Sequence, residues 1–237
     1  MPQSFDHILN WTLQKGSHSF PGPDGGTCIN EAAIVAAGFA YQEVRDVCDM
    51  PSCFSRVVAQ YALTLNDLMP DDQRQRLLPY AARLGGTADT PEVECRRAEY
   101  LAMQAVTVSA ARALDAVGLP IAAQACRTAK TLVDAEMAAA GAARAARAAR
   151  AAWAAAGWAE VAAEWAARAA PRAAAWAEVA AAWAAQAAAA AATVGAWDDA
   201  LLALDGVLAI GKQANPFDVT LVQLRMEAAR CGHLAAE

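Results

Sequence analysis

The chain has 237 residues, 57% of them hydrophobic, which suffices for one large domain or two small ones. A formal charge of −6 gives the whole chain no attraction for nucleic acid or an anionic membrane. Its six irregularly spaced cysteines match neither a disulfide-dense scaffold nor a zinc finger. Polar residues interrupt the apolar ones near the start, so the sequence shows no apolar stretch of the kind found in a signal peptide. We therefore expect a cytoplasmic protein with reduced cysteines.

The first 38 residues predict two helices separated by a loop. Apolar side chains recur at one-face helical spacing over residues 4–15 and indicate a first short helix. Residues 16–26 are rich in glycine and proline, whose backbone preferences favour a loop and exclude a helix. Thr27 is predicted to cap the next helix, which should end near Gly38.

Helix-start signals recur through the next hundred residues. Ser52 is predicted to open a helix that runs to Leu68, and Pro70 opens another. Thr90 and Pro91 supply a cap and an N1 proline for a third. Because no segment alternates with period two between turns, strands are not expected.

An alanine-rich tract occupies the middle of the chain. Thirty-six of the 55 residues at 138–192 are alanine, the residue with the highest helix propensity. The tract is long enough to overcome the cost of helix nucleation, so it is predicted to be helical and not disordered.

The tract contains an internal repeat marked by tryptophans. Residues 158–170 align with residues 176–188, an offset of 18 residues or about five helical turns. In one continuous helix, four tryptophans would lie within about 20° of one another and form a stripe: Trp158, Trp165, Trp176 and Trp183. Pro171 leaves two alternatives open, a kinked long helix or a helical hairpin.

The C-terminal part returns to mixed composition and predicts two amphipathic helices, at residues 196–210 and 216–230. Asn215 is placed to cap the second of them. The predicted fold is therefore all-α, with three segments: an N-terminal helical bundle at 1–133, an alanine/tryptophan-rich helix or hairpin at 134–195, and a C-terminal helical pair at 196–237 that packs back on the bundle.

Cys28 is the strongest candidate for a catalytic residue. A thiol in the first turn of a helix lies near unsatisfied amides and the positive end of the helix dipole, which favour thiolate. His18 or His233 could act as its base, and Glu31 lies one turn further along the same helix. The competing interpretation is a buried cysteine that contributes only to packing.

The cysteines also allow a metal or redox hypothesis. The residues that could contribute are Cys28, Cys48, Cys53, Glu31, His18 and Asp49. The five-residue step between Cys48 and Cys53 is not a zinc knuckle, and we predict no metal site and no cofactor.

Two further binding classes are weighed and rejected. Arg144, Arg147 and Arg150 beside tryptophans could contact phosphates and bases, but arginines on an alanine helix typically keep it soluble. Residues 179–197 carry no charge over nearly a spanning length, yet alanine gives little transfer energy. Neither nucleic acid nor a membrane is a predicted partner.

The N-terminal block resembles a known family. Residues 21–33 (PGPDGGTCINEAA), together with residues 51–53 (PSC) and 65–72 (LNDLMPDD), resemble a family of uncharacterised bacterial and phage proteins. The resemblance covers most of the chain and implies the same order of N-terminal block and alanine-rich tract. It implies no activity, cofactor or substrate, but it does imply a shared local role, structural or chemical, for Cys28, Glu31 and Cys53.

The leading functional hypothesis is a helical interaction or assembly protein. It would form a homo-oligomer, or bind a protein partner, through the alanine/tryptophan-rich helix, because a stripe of exposed tryptophans marks an interface. Two alternatives stay open. One is a thiol-dependent enzyme that uses Cys28, and the other is a small-molecule binder with a tryptophan-lined pocket between helices.

Overall fold

The computed structural model describes residues 11–19, 26–150, 161, 164–166, 168, 184–187 and 197–212. These residues form nine α-helices and one pair of two-residue strands. The fold is therefore predominantly α-helical, and the predicted all-α class is confirmed.

The chain divides into two compact units by its internal contacts. The first unit comprises Met1–Asp89 with Gly211–Glu237, and the second comprises Thr90–Ile210. Since much of residues 134–237 lies outside the described part, the segment boundaries predicted from composition stay a prediction.

The first unit is built around α1. Every residue of this helix (Ile29–Ala36) is buried, and it contacts α2 (Arg56–Leu68) and α4 (Ala81–Leu84). In chain order the described elements are β1 (Thr12–Leu13), β2 (Gly26–Thr27), α1 (Ile29–Ala36), a 3₁₀ turn (Val47–Asp49), α2 (Arg56–Leu68), α3 (Asp71–Arg74), a 3₁₀ segment (Gln75–Tyr80) and α4 (Ala81–Leu84).

The helix predicted over residues 4–15 is wrong for its described part, because residues 11–15 contain strand β1 and no helical residue. Strands β1 and β2 pair in parallel, and the side-chain amide of Gln75 bonds both backbone groups of Leu13, at 3.0 and 2.9 Å. Asn66 Nδ2 donates to the Gln14 carbonyl at 2.8 Å. These partners lie some fifty or sixty residues away in sequence, so one-face spacing alone could not reveal them.

Two helix starts differ from their predicted caps. Cys28, and not Thr27, is the N-cap of α1. Ser55, and not Ser52, caps α2, where its hydroxyl accepts from Val58 N at 3.2 Å. The cap lies one residue after the predicted one for α1 and three residues after it for α2.

The second unit is a helical assembly. Its described elements are α5 (Pro91–Gln104), a π-helical segment (Ala105–Ala110), α6 (Ala111–Ala116), α7 (Pro120–Arg127), α8 (Leu132–Arg150) and α9 (Trp197–Leu208). The helix starts predicted at Pro91 and near residue 196 are confirmed. The first of these has its proline at the N-terminus, as the sequence indicated.

A buried arginine joins two helices of the second unit. The side chain of Arg97, on α5, is fully buried and forms an ion pair with Glu94 at 2.6 Å. Its Nε and Nη2 both donate to the carbonyl of Ile210, just beyond α9, at 3.0 and 2.8 Å. One guanidinium therefore satisfies a carbonyl at the end of a helix and holds that end against α5.

Several predictions fall outside the described residues. They concern the kink or hairpin at Pro171, the helix at residues 216–230 with its cap Asn215, and His233.

Candidate functional site

Cys28 lies directly before α1 and is fully buried. Its Sγ accepts a hydrogen bond from the backbone N–H of Glu31 at 3.4 Å, while Cys28 N donates to Glu31 Oε2 at 2.8 Å. This reciprocal arrangement is a capping box, in which two otherwise unpaired amides at the helix start are satisfied. The contacts of Cys28 are therefore those of an N-cap residue.

The carboxylate of Glu31 connects three parts of the first unit. It is completely buried and also accepts hydrogen bonds from His18 N at 2.8 Å, Val44 N at 3.2 Å and Thr27 Oγ1 at 3.2 Å. Hydrogen bonds to an ionised acceptor are stronger than neutral ones. Glu31 thus ties the loop at residue 18 and the loop at residue 44 to the start of α1.

The electrostatics around Glu31 favour neutral neighbours. Burial, followed by the negative charge of Glu31, raises the pKa of the Cys28 thiol. The same two causes, in the same order, raise the pKa of Tyr41, whose hydroxyl donates to the carbonyl of His18 at 2.8 Å. A thiol with a raised pKa stays protonated at neutral pH, which works against use as a nucleophile.

The Glu31 carboxylate accepts hydrogen bonds from the backbone amides of both Cys28 and His18, so these three predicted residues meet at the start of α1 through backbone groups. The bond from His18 to Glu31 runs through the backbone amide, and the buried imidazole Nε2 has no hydrogen-bond partner among the described residues. The catalytic interpretation stays a hypothesis. The capping role of Cys28 and the bridging role of Glu31 follow directly from the geometry.

The other sites considered from sequence receive no support in the described part of the chain. Within those residues, no three His, Cys, Asp or Glu side chains are grouped to hold a metal ion. Cys48 is exposed, and the pKa of its thiol is raised by its hydrogen bond with Asp46 and by the charge of that carboxylate. No helix described here combines the length and apolar character needed to cross a membrane.

The second unit contains an open groove between α7 and α8. The α7–α8 groove has a cavity volume of about 470 Å³. Its walls are small or apolar side chains, among them Ile121, Ala122, Ala125, Met137, Ala138 and Gly141. A cavity of this volume lies within the range that binds organic ligands or apolar side chains of a partner.

The groove is bordered by unusually exposed apolar side chains. Ile121 is 88% exposed and Met137 is 62% exposed. On the other side of α8, Ala135, Ala139 and Ala146 are completely buried. Helix α8 therefore packs through one alanine face and leaves an apolar face open.

The predicted tryptophan interface is described at one position only. Trp165 is partly buried, and the guanidinium carbon of Arg168 lies 5.0 Å from the centre of its ring, a cation–π contact. Trp158, Trp176 and Trp183 lie outside the described residues, so the stripe stays a prediction.

Sequence reasoning did not single out Ile121 or Met137. The sequence signal nearby was Gly118 followed by Pro120, which indicates a turn and then a helix start. In the structure Gly118 has a φ of +74° and Pro120 is the first residue of α7. That signal predicts a short helix, but the exposure of Ile121 depends on how α7 packs, which local sequence does not encode.

Comparison of the chain with protein-family models, curated proteins and solved structures finds no match. The resemblance of the N-terminal block to bacterial and phage proteins therefore stays a prediction. Any functional conclusion has to come from the contacts and exposure of the chain's own residues.

Proposed function

We propose that this chain is a helical assembly protein that associates with further copies of itself through the alanine/tryptophan-rich segment at residues 134–195. The observation that carries the proposal is the open apolar face of α8, the helix with which this segment starts. Met137 is largely exposed on that face, beside the small residues Ala138 and Gly141. The predicted tryptophan stripe belongs to the same segment and to the same proposal.

Burial of the exposed apolar surface on α8 would favour association. Fully burying a side chain such as Met or Ile contributes about 1.5–3 kcal/mol relative to leaving it in water. Small residues on a helix allow a second helix to approach closely, which increases the number of van der Waals contacts. A face of this kind is typical of a protein–protein interface.

The enzyme hypothesis has weaker support. Cys28 is buried and hydrogen bonded as a helix cap, and both burial and Glu31 favour its neutral thiol. An interaction role requires none of these groups to react, and it uses surface that is open to solvent.

Sedimentation velocity of the full chain under reducing conditions tests this function. We expect a species with a multiple of the 24.7 kDa chain mass, whose fraction falls on dilution. The variant Cys28→Ser should show the same mass distribution, because the thiol takes no part in assembly. A wild-type chain that remains monomeric at every concentration would contradict the proposal.

A further inference from the structure

We propose that the α7–α8 groove receives the same groove of a second copy, in a two-fold arrangement where Ile121 of each copy packs beside Met137 and over Gly141 of the other. This inference rests on the proposed self-association and adds the docking surface, the partner and the pairing of residues. The inference concerns a dimer. An assembly larger than a dimer would need further contacts, made by other parts of the alanine/tryptophan-rich segment.

The shape of the patch favours a second copy as the occupant. In a two-fold interface the same patch occurs on both partners, so it must contain both a projection and a recess that accepts it. Ile121 projects, with 88% of its surface exposed, and the groove beside it is floored by small residues that include Ala138 and Gly141. Both requirements are met within one patch on α7 and α8.

Charge also permits the pairing of like surfaces. The whole chain carries −6, which opposes the approach of two copies. Between residues 115 and 146, however, three basic and three acidic residues cancel: Arg127, Lys130, Arg144, Asp115, Asp134 and Glu136. Two copies that meet through this region therefore meet through a locally neutral surface, where apolar contact decides the affinity.

The two-fold symmetry allows a charge-swap test of the pairing between Ile121 and Met137. A non-specific loss of stability would not produce its expected result. Ile121→Asp or Met137→Lys alone places a charge in both symmetric contacts of a dimer, and each should weaken dimerisation about 100-fold, roughly tenfold per contact. A mixture of the two variants can form a mixed dimer with one Asp–Lys contact and one unchanged Ile–Met contact. The mixed dimer should therefore form in preference to either variant's own dimer.

Native mass spectrometry of the mixed variants, one of them labelled with ¹⁵N, measures this preference. Gln124→Asp on α7 and Val133→Lys on α8 are matched controls, since they add the same charges at exposed positions that do not line the groove. Both controls should dimerise like the wild type. Circular dichroism checks the fold of each variant, and the uncharged Ile121→Asn and Met137→Gln repeat the single-variant test if a charged variant loses helix.

The outcomes separate this inference from the proposed function. A preferred mixed dimer supports the pairing of Ile121 with Met137. If either charged variant keeps the wild-type mass, or if the mixture forms no preferred mixed dimer, the pairing is wrong while self-association of the wild type stands. If the wild type itself is monomeric at all concentrations, the proposed function fails and this inference fails with it.

Discussion

Cys28 and Glu31 form a capping box in which the usual hydroxyl is replaced by a thiol. Sulfur is a weak acceptor, so the 3.4 Å bond to Sγ contributes less than a serine cap would. The carboxylate of Glu31 compensates, because a negative charge in the first turn interacts favourably with the helix dipole. The same carboxylate also binds the backbone amides of His18 and Val44, so one side chain organises the start of α1 and two loops.

Alkaline pH should distinguish a buried neutral thiol at Cys28 from a reactive one. The folded pKa of Cys28 is raised above the unfolded value of about 8.5, so its contribution to stability is complete below that pH and is lost as pH rises. The free energy of unfolding of the wild type should fall more steeply between about pH 8.5 and pH 10 than that of Cys28→Ser. Urea unfolding followed by circular dichroism measures both profiles.

Two controls accompany that comparison. Cys126, whose burial raises its pKa to about 11, is present in both proteins and cancels in their difference. Cys28→Ala removes the cap and should cost about 1 kcal/mol at neutral pH, whereas Cys28→Ser retains a cap. Identical pH profiles for the wild type and Cys28→Ser would show that the thiol is not held neutral, and would revive the nucleophile hypothesis.

At the scale of elements, two helical glycines of the second unit differ in the space around them: Gly206 is tightly packed and Gly141 is not. A Cβ added to Gly206 on α9 would overlap the phenol ring of Tyr100 on α5, whereas one added to Gly141 on α8 would meet only Arg144 Nη2, at 3.8 Å. A side chain at Gly206 therefore requires the half-buried phenol ring of Tyr100 to move. Gly141 is a glycine that its helix does not need for packing within the unit.

Alanine substitutions should change stability in opposite directions at these positions. At concentrations where the chain is monomeric, Gly141→Ala should stabilise by about 0.5–1 kcal/mol, because alanine loses less backbone entropy in a helix. Gly206→Ala should destabilise by about 1–3 kcal/mol through overpacking. Denaturant unfolding of the two variants measures the difference, and a stabilising Gly206→Ala would mean that the Tyr100 ring moves aside without cost or that α5 and α9 do not pack this closely.

The elements that could be predicted from sequence are those with local start signals. Pro91 and the acidic residues after it define the start of α5, and the alanine-rich composition predicts the helicity of α8. The non-helical conformation of residues 11–15 was missed because distant side chains hold this segment, among them Gln75 and Asn66. The cap at Cys28 was missed because cysteine is not a preferred cap residue, although Glu31 three positions later was the visible half of the capping box.

At the scale of the whole molecule, the candidate site could be predicted only as a segment. Composition indicated an interaction role for residues 134–195, since alanine and tryptophan on one helix require a packing partner. The α7–α8 groove depends on the packing of two helices joined by a short turn, and Ile121 has no sequence feature that distinguishes it from a core isoleucine. The sequence therefore predicts the kind of surface, while tertiary packing determines its position.

Self-association also makes stability depend on protein concentration. A dimer that forms only from folded chains stabilises them by mass action, so the Tm of the wild type should rise by about 1–3 °C for each tenfold increase in concentration. Because its dimer is about 100-fold weaker, Ile121→Asp should show this rise in Tm only at about hundredfold higher concentrations, and Gln124→Asp should behave like the wild type. Differential scanning calorimetry over roughly a hundredfold range of concentration measures this dependence. If the Tm of Ile121→Asp rises as steeply as that of the wild type, the stabilising contacts lie outside the α7–α8 groove.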